Sequence, residues 1–337
     1  MTIKDIARLS GVSVSTVSRV LNDRPDVSAE SRARVRAVIE AYNYVPNDTA
    51  RDLVRINSDA IGLVVRGAQN PFYTDVILAA ERALEAAGCT MVMRQIPSGG
   101  DELACGAAMV REKRLRGVIF LGGRSNYTAA EFARITVPCV LCTYTNTYGT
   151  LDPSVYSSVS VCDGEEAERA VGELIRCGHR RIAALIARED DSTISQQRYE
   201  GYCRALRAHG IAPTEELVIS TGDSFSIADA YRAMDGALRR GLDCTGLFAI
   251  SDDMAIGAMR ALREHGRRIP DDCSVIAIDG IEVSEYVDPP LAALCQPRRE
   301  LGEKSVELLL GVLEERRGHE QVTLCASLRP GGSIRRI

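Results

Sequence analysis

Residues 2–22, TIKDIARLSGVSVSTVSRVLN, decide how the N-terminal part of the chain folds. Thr2 is placed to cap a first helix, Gly11 supplies the backbone freedom for a tight turn, and Ser13 is placed to cap a second helix. Apolar side chains recur at a spacing near 3.6 residues, so each helix has an inward stripe. The stripes are Ile3, Ile6, Ala7 and Leu9, then Val17, Val20 and Leu21, with Val12 beneath the turn. The stretch predicts two short helices that cross at a glycine-containing turn.

The second helix leaves one face that carries short hydroxyl groups and a single arginine. The outward side chains are Val14, Ser15, Thr16, Ser18 and Arg19. Such side chains approach a DNA groove closely and offer hydrogen-bond donors and acceptors to phosphates and base edges. Composition alone leaves open a plain helical hairpin with solvated serines.

A third helix and a short fourth segment follow the first two. The third helix begins at Ser28, and its expected buried stripe is Val35, Val38, Ile39 and Tyr42. Pro46 ends it, and Asn47 can cap a helix over about 48–55. A helix of this length does not hold together alone, so an outside contact must fold it.

The opening stretch, followed by the pattern Y-x-P-N-x-x-A-R-x-L, resembles the LacI/GalR family of bacterial transcriptional repressors. The resemblance implies a helix-turn-helix DNA-binding domain over 1–57 with a hinge helix at about 47–55, and an effector-binding and dimerisation domain over 58–337. It also implies that Leu53, one turn after Ala50, inserts into the minor groove as an apolar wedge. The DNA-binding residues that it implies are Thr2, Ser13, Val14, Ser15, Thr16, Ser18, Arg19, Asn22, Asn47, Ala50, Arg51 and Leu53.

Charge is distributed unevenly along the chain. The 337 residues carry a net charge of −5, but residues 1–56 hold nine basic and seven acidic side chains, which leaves −7 on the remainder. A mildly basic head on an acidic body argues against a protein that coats nucleic acid throughout. Asp52 stands in the hinge where the family usually has a small or neutral residue, and Asp48 adds a second carboxylate. We therefore expect a modest, strongly salt-dependent DNA affinity.

Composition excludes several other classes. No apolar run is long enough to span a bilayer, and the N-terminus lacks the apolar region of a signal peptide, so we expect a cytoplasmic protein with no membrane partner. Eleven scattered cysteines do not resemble a secreted disulfide framework, and no histidine lies near a cysteine pair at zinc spacing. Cys139 and Cys142 form a lone C-x-x-C within a predicted strand, where residues three apart point to opposite faces. We expect no metal and no cofactor.

The body alternates buried strands with amphipathic helices, which predicts parallel sheets covered by helices. The predicted strands lie at 61–65, 90–96, 117–122, 137–142, 181–187, 217–221, 246–251, 274–279 and 291–294. The alternation of strands and helices starts again near Arg181, which predicts an α/β body with two similar lobes. This body resembles the periplasmic sugar-binding fold. The resemblance implies three crossings, near residues 160, 290 and 320. Lobe 1 would comprise about 58–160 and 291–320, and lobe 2 about 161–290 and 321–337.

Ligands of such sheets bind at the carboxyl ends of the strands, here between the lobes. Matching to the family implies the effector residues Asn70, Phe72, Tyr73, Tyr144, Arg198, Asp252 and Asp279. Phe72 or Tyr73 could stack on a ring or sugar face, while Arg198 and Asp279 suit hydroxyl groups because one donates and the other accepts. A structural ion pair is the alternative for these two residues. Asp252 is expected to cap a helix rather than to touch a ligand. Tyr144 stands where relatives have a charged pair, so the effector class stays open.

The most consistent function is a repressor that binds a pseudo-palindromic operator as a homodimer, with affinity set by a sugar, polyol or nucleoside-like effector. An activator or a corepressor-dependent regulator of the same family is the main alternative, and a small-molecule-binding protein without DNA function is a remote one. Nucleophile-elbow, phosphate-loop and dinucleotide motifs are lacking, so no enzyme is expected. The C-terminus lacks leucine heptads, which argues for a dimer rather than a tetramer.

Overall fold

The computed structural model describes residues 1–21, 24, 26–42, 59–67, 70–188 and 192–337. The chain separates into two compact units, Met1–Ser58 and Asp59–Ile337. The proposed hinge helix lies outside the described residues. So do Asn22, Asn47, Asp48, Ala50, Arg51, Asp52 and Leu53.

The N-terminal unit contains three described helices, α1 (Ile3–Ser10), α2 (Val14–Leu21) and α3 (Ala29–Ala41). Thr2 and Asp5 form a reciprocal capping box at the start of α1, and Gly11 adopts a left-handed φ of 65° at its end. The Ser13 hydroxyl accepts a hydrogen bond of 3.1 Å from the backbone N–H of Thr16, as a cap of α2 should. The buried core of this unit is Ile6, Ala7, Val17, Val20 and Val35.

Two positions of the expected stripes are not buried. Leu9 is 43% exposed, because it lies beyond the edge of the α1 face that buries Ile6, Ala7 and Ser10. Tyr42 is 54% exposed, since α3 ends at Ala41 and the helical periodicity no longer governs its direction. The other stripe residues outside the buried core are partly buried against it, namely Ile3, Val12, Leu21, Val38 and Ile39.

The second unit is a two-lobed α/β body. Its strands are β1 (Ala60–Arg66), β2 (Thr90–Ile96), β3 (Gly117–Leu121), β4 (Cys139–Cys142), β5 (Ser157–Val161), β6 (Ile182–Ile186), β7 (Val218–Ser220), β8 (Gly246–Ala249), β9 (Ser274–Asp279), β10 (Ala292–Cys295), β11 (Gln321–Leu324) and β12 (Ser327–Arg329). Its α-helices are α4 (Phe72–Ala86), α5 (Glu102–Lys113), α6 (Ala129–Phe132), α7 (Asp163–Arg176), α8 (Ile194–Ala208), α9 (Ile227–Arg239), α10 (Asp252–Glu264) and α11 (Arg298–Leu313). Every segment predicted as a strand overlaps one of these strands.

Each lobe is built on one six-stranded sheet. The order in lobe 1 is β11-β5-β4-β3-β1-β2 with all pairs parallel, and the order in lobe 2 is β12-β10-β9-β8-β6-β7. Only β12 of the second sheet runs antiparallel to its neighbour. Helices cover both faces, so the central strands are buried along their whole length. The carboxyl ends of the parallel strands in both lobes are thereby available to line a cleft.

The lobe boundaries differ from the expected ones at the second and third crossings. Residues 291–295 were expected in lobe 1, but β10 pairs with β9 in the sheet of lobe 2. Residues 321–324 were expected in lobe 2, but β11 pairs with β5 in the sheet of lobe 1. The crossings therefore fall near 162, 296–297 and 325–326. The strands β5, β11 and β12 were missed because their serine and polar residues hide the apolar pattern of a buried strand.

None of the helices in the described part of the chain is long and apolar enough to cross a membrane.

Candidate functional site

The exposed face of α2 presents a small cluster of hydroxyl groups. The Ser13 Oγ lies 2.8 Å from the Ser15 Oγ and 2.8 Å from the Thr16 Oγ1. Val14 is 41% exposed beside them, at the first position of the helix. This arrangement places polar hydrogen atoms and one small apolar side chain at the N-terminus of a helix, where phosphate and base-edge contacts are favourable. The Thr2 hydroxyl is instead engaged with Asp5.

Arg19 extends from the same helix and meets an acidic side chain that the sequence analysis missed. Its guanidinium lies 3.5 Å from the carboxylate of Asp26, and both side chains are more than half exposed. An exposed pair of this kind contributes little stability, so Arg19 remains available to another acidic partner such as DNA. Asp26 lies in the loop after α2, where helical spacing gave no sign of the contact.

A buried arginine organises the cleft wall of lobe 2. Arg198, on α8, is 1% exposed, and its Nε donates a hydrogen bond of 2.7 Å to Asp163 at the start of α7. Its Nη1 donates to the carbonyl of Ile250 and lies 3.5 Å from the carboxylate of Asp279. The structure thus brings Arg198 and Asp279 together as predicted, but Asp163 is the nearer partner.

Asp279 ends β9 in an unusual backbone conformation. Its φ is 138°, a left-handed value that side chains other than glycine rarely adopt, and such positions cluster at functional sites. The Gln296 side-chain amide donates 2.8 Å to its carboxyl group. Burial raises the pKa of Asp279 to about 7, with Asp252 adding to the effect and Arg198 opposing it. This carboxyl group therefore titrates near neutral pH.

Asp252 is neither the helix cap nor part of the Arg198 cluster. Ser251 caps α10, and its hydroxyl accepts from the backbone N–H of Met254. Asp252 is fully buried, where it accepts 2.9 Å from the Ile281 N–H and 2.6 Å from the Ser284 hydroxyl. The expectation of a cap is wrong because Asp252 fastens the segment that follows β9.

The lobe 1 wall uses Tyr73 rather than Phe72. The Asn70 side chain accepts 2.9 Å from the Phe72 N–H and so starts α4. Phe72 is 3% exposed and packs inside the core of lobe 1, which leaves no face for a ligand. Tyr73 is partly buried, and burial followed by the negative charge of Asp279 raises its pKa. The Tyr73 hydroxyl lies against Gly122, directly after β3, and so at the strand ends of lobe 1.

Tyr144 does not form an open edge of lobe 1. It is 2% exposed, and its hydroxyl lies 3.5 Å from that of Tyr127, which donates to the buried carboxylate of Glu102. The ring also lies against Gly123, where a Cβ atom would overlap it. The Tyr144 hydroxyl group is part of this buried polar cluster. It is therefore not exposed to a ligand in the cleft, contrary to the expectation from the sequence.

The two lobes contact each other across the cleft. The Ser125 N–H donates 2.7 Å to the carbonyl of Ser192, and the Gln197 amide lies 3.4 Å from the Ser125 hydroxyl. Within lobe 1, Arg298 at the start of α11 forms a 2.7 Å ion pair with Asp75 of α4.

Arg298 also reaches the strand end of lobe 2. Its Nη1 donates 3.3 Å to the carbonyl of Asp279 and also to that of Gly280. One side chain thus holds the end of β9 against lobe 1.

Sequence reasoning missed Asp163, Gln296 and Arg298. Asp163 follows β5, whose serine-rich sequence concealed that a strand ended there. Gln296 and Arg298 flank Pro297 at the second crossing, which was placed about five residues too early. A correct crossing position would have pointed to both.

Comparison with known proteins agrees with both parts of the structure. Residues 2–47 match the family described as bacterial regulatory proteins, lacI family, and residues 171–334 match a periplasmic binding protein-like domain. The chain is 38% identical over 317 residues to the HTH-type transcriptional regulator MalR of Clostridium butyricum, covering 93% of each. It is 32% identical over 311 residues to the ribose operon repressor of Escherichia coli (strain K12), covering 92% of each. The structure of the lac repressor dimer bound to operator and the anti-inducer ONPF superposes with a TM-score of 0.81 at 26% identity, covering 99% of this chain and 98% of that one.

A helix-turn-helix unit followed by a two-lobed ligand-binding body defines a DNA-binding transcriptional regulator. The chain belongs to the lacI family of bacterial regulatory proteins. The family and the fold class expected from the sequence are confirmed.

Proposed function

We propose that the protein is a repressor that binds a pseudo-palindromic operator as a homodimer, and that an uncharged polyhydroxylated effector in the cleft sets its operator affinity. The observation that carries the proposal is the buried set of Arg198, Asp163 and Asp279 at the strand ends of lobe 2, with Tyr73 at the strand ends of lobe 1. It offers donors and acceptors from two lobes to one ligand. A ligand that touches both lobes biases their closure if its affinity differs between the open and closed states.

The charges of the cleft wall favour a neutral ligand. Asp163 and Asp279 are both buried there, and the buried cation Arg198 lies between them. An anionic group such as a phosphate ester would add negative charge to a desolvated, already acidic wall, which is costly. Hydroxyl groups can donate to the carboxylates and accept from the guanidinium, so a sugar or polyol satisfies both kinds of partner.

The relatives support this choice of ligand and mode of action. One is a ribose operon repressor, and similar structures include a CelR–cellobiose complex and a family member from Enterococcus faecium with bound ribose. We infer that the chain acts as a regulator rather than an enzyme, and in the cytoplasm, where DNA is found. A homodimer follows because two heads related by two-fold symmetry match two operator half-sites.

The operator can be found by selection from a random DNA pool, followed by titration of the selected duplex with the full chain. We expect an enriched inverted repeat, whose dissociation constant shifts at least tenfold with ribose, cellobiose or maltose but not with ribose 5-phosphate. Failure to enrich any inverted repeat would remove the dimeric operator proposal, and a response only to the phosphate ester would remove the neutral-ligand proposal. Weaker DNA binding with sugar indicates an inducer, and tighter binding a corepressor.

Asp279→Asn is the sharper variant for testing the cleft. It keeps the size of the side chain and leaves Arg198 paired with Asp163, whereas Arg198→Ala would strand two buried carboxylates at a cost of about 3–5 kcal/mol. We expect Asp279→Asn to lose the sugar response and to retain sugar-free operator binding. Asp271→Asn, before the opposite end of β9, is the matched control and should respond like the wild type. A full response in Asp279→Asn would place the effector elsewhere.

A further inference from the structure

Two buried thiols face each other in lobe 2, away from the cleft. The Sγ atoms of Cys244 and Cys273 lie 3.9 Å apart, and the two residues are 1% and 0% exposed. Both are free cysteines, and neither belongs to the DNA-binding face or to the effector wall. No role in the proposed function accounts for the pair.

The backbone places the two cysteines at the same end of neighbouring strands. Cys244 precedes β8 and Cys273 precedes β9, and these strands are parallel neighbours in which Gly246 pairs with Ser274. The Ser274 N–H donates 2.9 Å to the carbonyl of Thr245, so the ladder extends to the cysteines. Both thiols therefore lie at the amino ends of their strands, opposite the end that carries Asp279. To form a disulfide, rotation of the side chains must bring the two Sγ atoms from 3.9 Å to roughly 2 Å. The strand pairing does not need to change.

A cation stands next to the pair. The Arg267 Nη2 donates 2.7 Å to the carbonyl of Cys244 and 3.1 Å to that of Asp272. A hydrogen bond from Cys273, and then the charge of Arg267, lower the pKa of Cys244. Resolved pKa shifts of other cysteines are upward, with burial as the leading cause for Cys139 and Cys142. Cys244 is thus suited to be the attacking thiolate. The Arg267 side chain beside it is 27% exposed, so the thiol pair lies one side-chain layer below the surface.

The C-x-x-C sequence offers no comparable pair. Cys139 packs in the core on one face of the lobe 1 sheet, and Cys142 packs on the other face, where its thiol lies 3.6 Å from the Leu301 carbonyl. Alternation along β4 separates them, as the sequence predicted. Short spacing in sequence does not identify the pair of neighbouring thiols, whereas the 3.9 Å distance between the Cys244 and Cys273 sulfur atoms does.

We propose that Cys244 and Cys273 form a reversible disulfide that links β8 to β9 when the protein meets a two-electron oxidant such as hydrogen peroxide. The Cys244 thiolate attacks one peroxide oxygen; an S–O bond forms, the O–O bond breaks, and the departing hydroxide takes up the proton that Cys244 lost. Cys273 sulfur then attacks the sulfenic acid; the S–S bond forms, the S–O bond breaks, and hydroxide leaves with the Cys273 proton as water. Two thiols and one peroxide give one disulfide and two waters.

The test is peptide mapping of the full chain after mild oxidation. Reduced protein is treated with hydrogen peroxide, alkylated under denaturing conditions, and digested without reductant. We expect a linked pair of peptides that contain Cys244 and Cys273, two hydrogens lighter than their sum, which separates again with dithiothreitol. The exposed Cys325 reports that the oxidant has acted, and Cys139→Ser is the matched buried control that should leave the linkage intact.

Two outcomes would overturn the proposal. One is recovery of Cys244 and Cys273 as alkylated thiols under conditions that oxidise Cys325. The other is a linkage that forms only after the chain is unfolded in guanidinium, because the bond would then not depend on the folded register.

Heat denaturation adds a second measurement on the wild-type chain. A bond that closes a loop of this length should raise the melting temperature of the oxidised chain by roughly 5–15 °C. Cys273→Ala should show no rise on oxidation. A lower melting temperature of the linked wild type would mean that the disulfide does not fit the folded lobe.

Discussion

Asp279 is a buried carboxyl group whose pKa lies far from its ordinary value. Its pKa of about 7 in the folded chain lies above the ordinary 3.8 because the carboxyl group is buried, with Asp252 adding negative charge. Between these two values the folded chain holds a proton that the unfolded chain has released. The free energy of unfolding therefore falls as pH rises through this window, and the loss is complete above about pH 7.

Asp279→Asn should remove this pH dependence. At pH 8 we expect the variant to be more stable than the wild type by on the order of 1–3 kcal/mol, and at pH 5 the advantage should shrink. Urea unfolding of both proteins at the two pH values measures the difference, and other titrating groups cancel in the comparison. An equal advantage at both pH values would show that Asp279 does not titrate in this range.

Arg19 carries the second prediction for a single residue. Arg19→Ala should weaken operator binding by about 1–3 kcal/mol and relax the preference at one base position, because a bidentate contact to a base edge is lost. Titration of a set of single-base operator variants tests this. Asp26→Asn, which removes the exposed partner of Arg19, should bind as tightly or more tightly. A uniform loss across all operator variants would instead identify Arg19 as a phosphate contact.

Helix packing in the body depends on glycines at the points of closest approach. Gly201 of α8 lies against Gly164 of α7, and a Cβ at Gly201 would overlap the Gly164 carbonyl oxygen. These helices carry Arg198 and Asp163 respectively, so their separation also sets the Arg198–Asp163 hydrogen bond of 2.7 Å. No sequence pattern singled out Gly201, because its role depends on which helix packs against it.

Gly201→Ala should therefore lower the free energy of unfolding by roughly 1–3 kcal/mol through overpacking. Gly236→Ala in α9 is the matched control, since its Cβ would meet only the flexible end of Arg240. The control should gain about 0.5–1 kcal/mol from improved helix propensity. Denaturant titration measures the free energy of unfolding of both variants. Similar changes of this free energy in the two variants would contradict the packing argument.

Arg298 acts at the scale of the whole body because it spans both lobes. Arg298→Gln should lose the Asp75 ion pair and weaken the contacts to the Asp279 and Gly280 carbonyls, and we expect a loss of about 1–3 kcal/mol in unfolding free energy. Asp75→Asn removes only the ion pair, whose carboxylate is 52% exposed, and should cost under about 1 kcal/mol.

The two Arg298 variants also differ in the expected shape of the body. Small-angle scattering of Arg298→Gln should show a larger radius of gyration than that of Asp75→Asn, because lobe closure is released. Equal radii and equal stabilities for the two variants would show that the carbonyl contacts do not hold the lobes together.

Local sequence was enough to predict the helical head and the apolar strands of the body, whereas Arg198 and Asp279 were found only through the family resemblance. The head and the strands follow from local periodicity, capping residues and motif spacing, which act over a few residues. The helical spacing of apolar residues alone predicted that Val17 and Val20 lie in the core, and both are buried there. Where the helix ended, as at Tyr42, the periodicity stopped being informative.

Contacts between residues that are distant in sequence depend on the tertiary structure. Asp163 joins Arg198 across 35 residues, Asp252 fastens Ser284 across 32, and Cys244 meets Cys273 across 29. The serine-rich β5 is a buried strand only because its neighbours in the sheet and the covering helices exclude water. Sheet order and helix packing set these contacts, and they arise from burial summed over the whole lobe rather than from the pattern of any single segment.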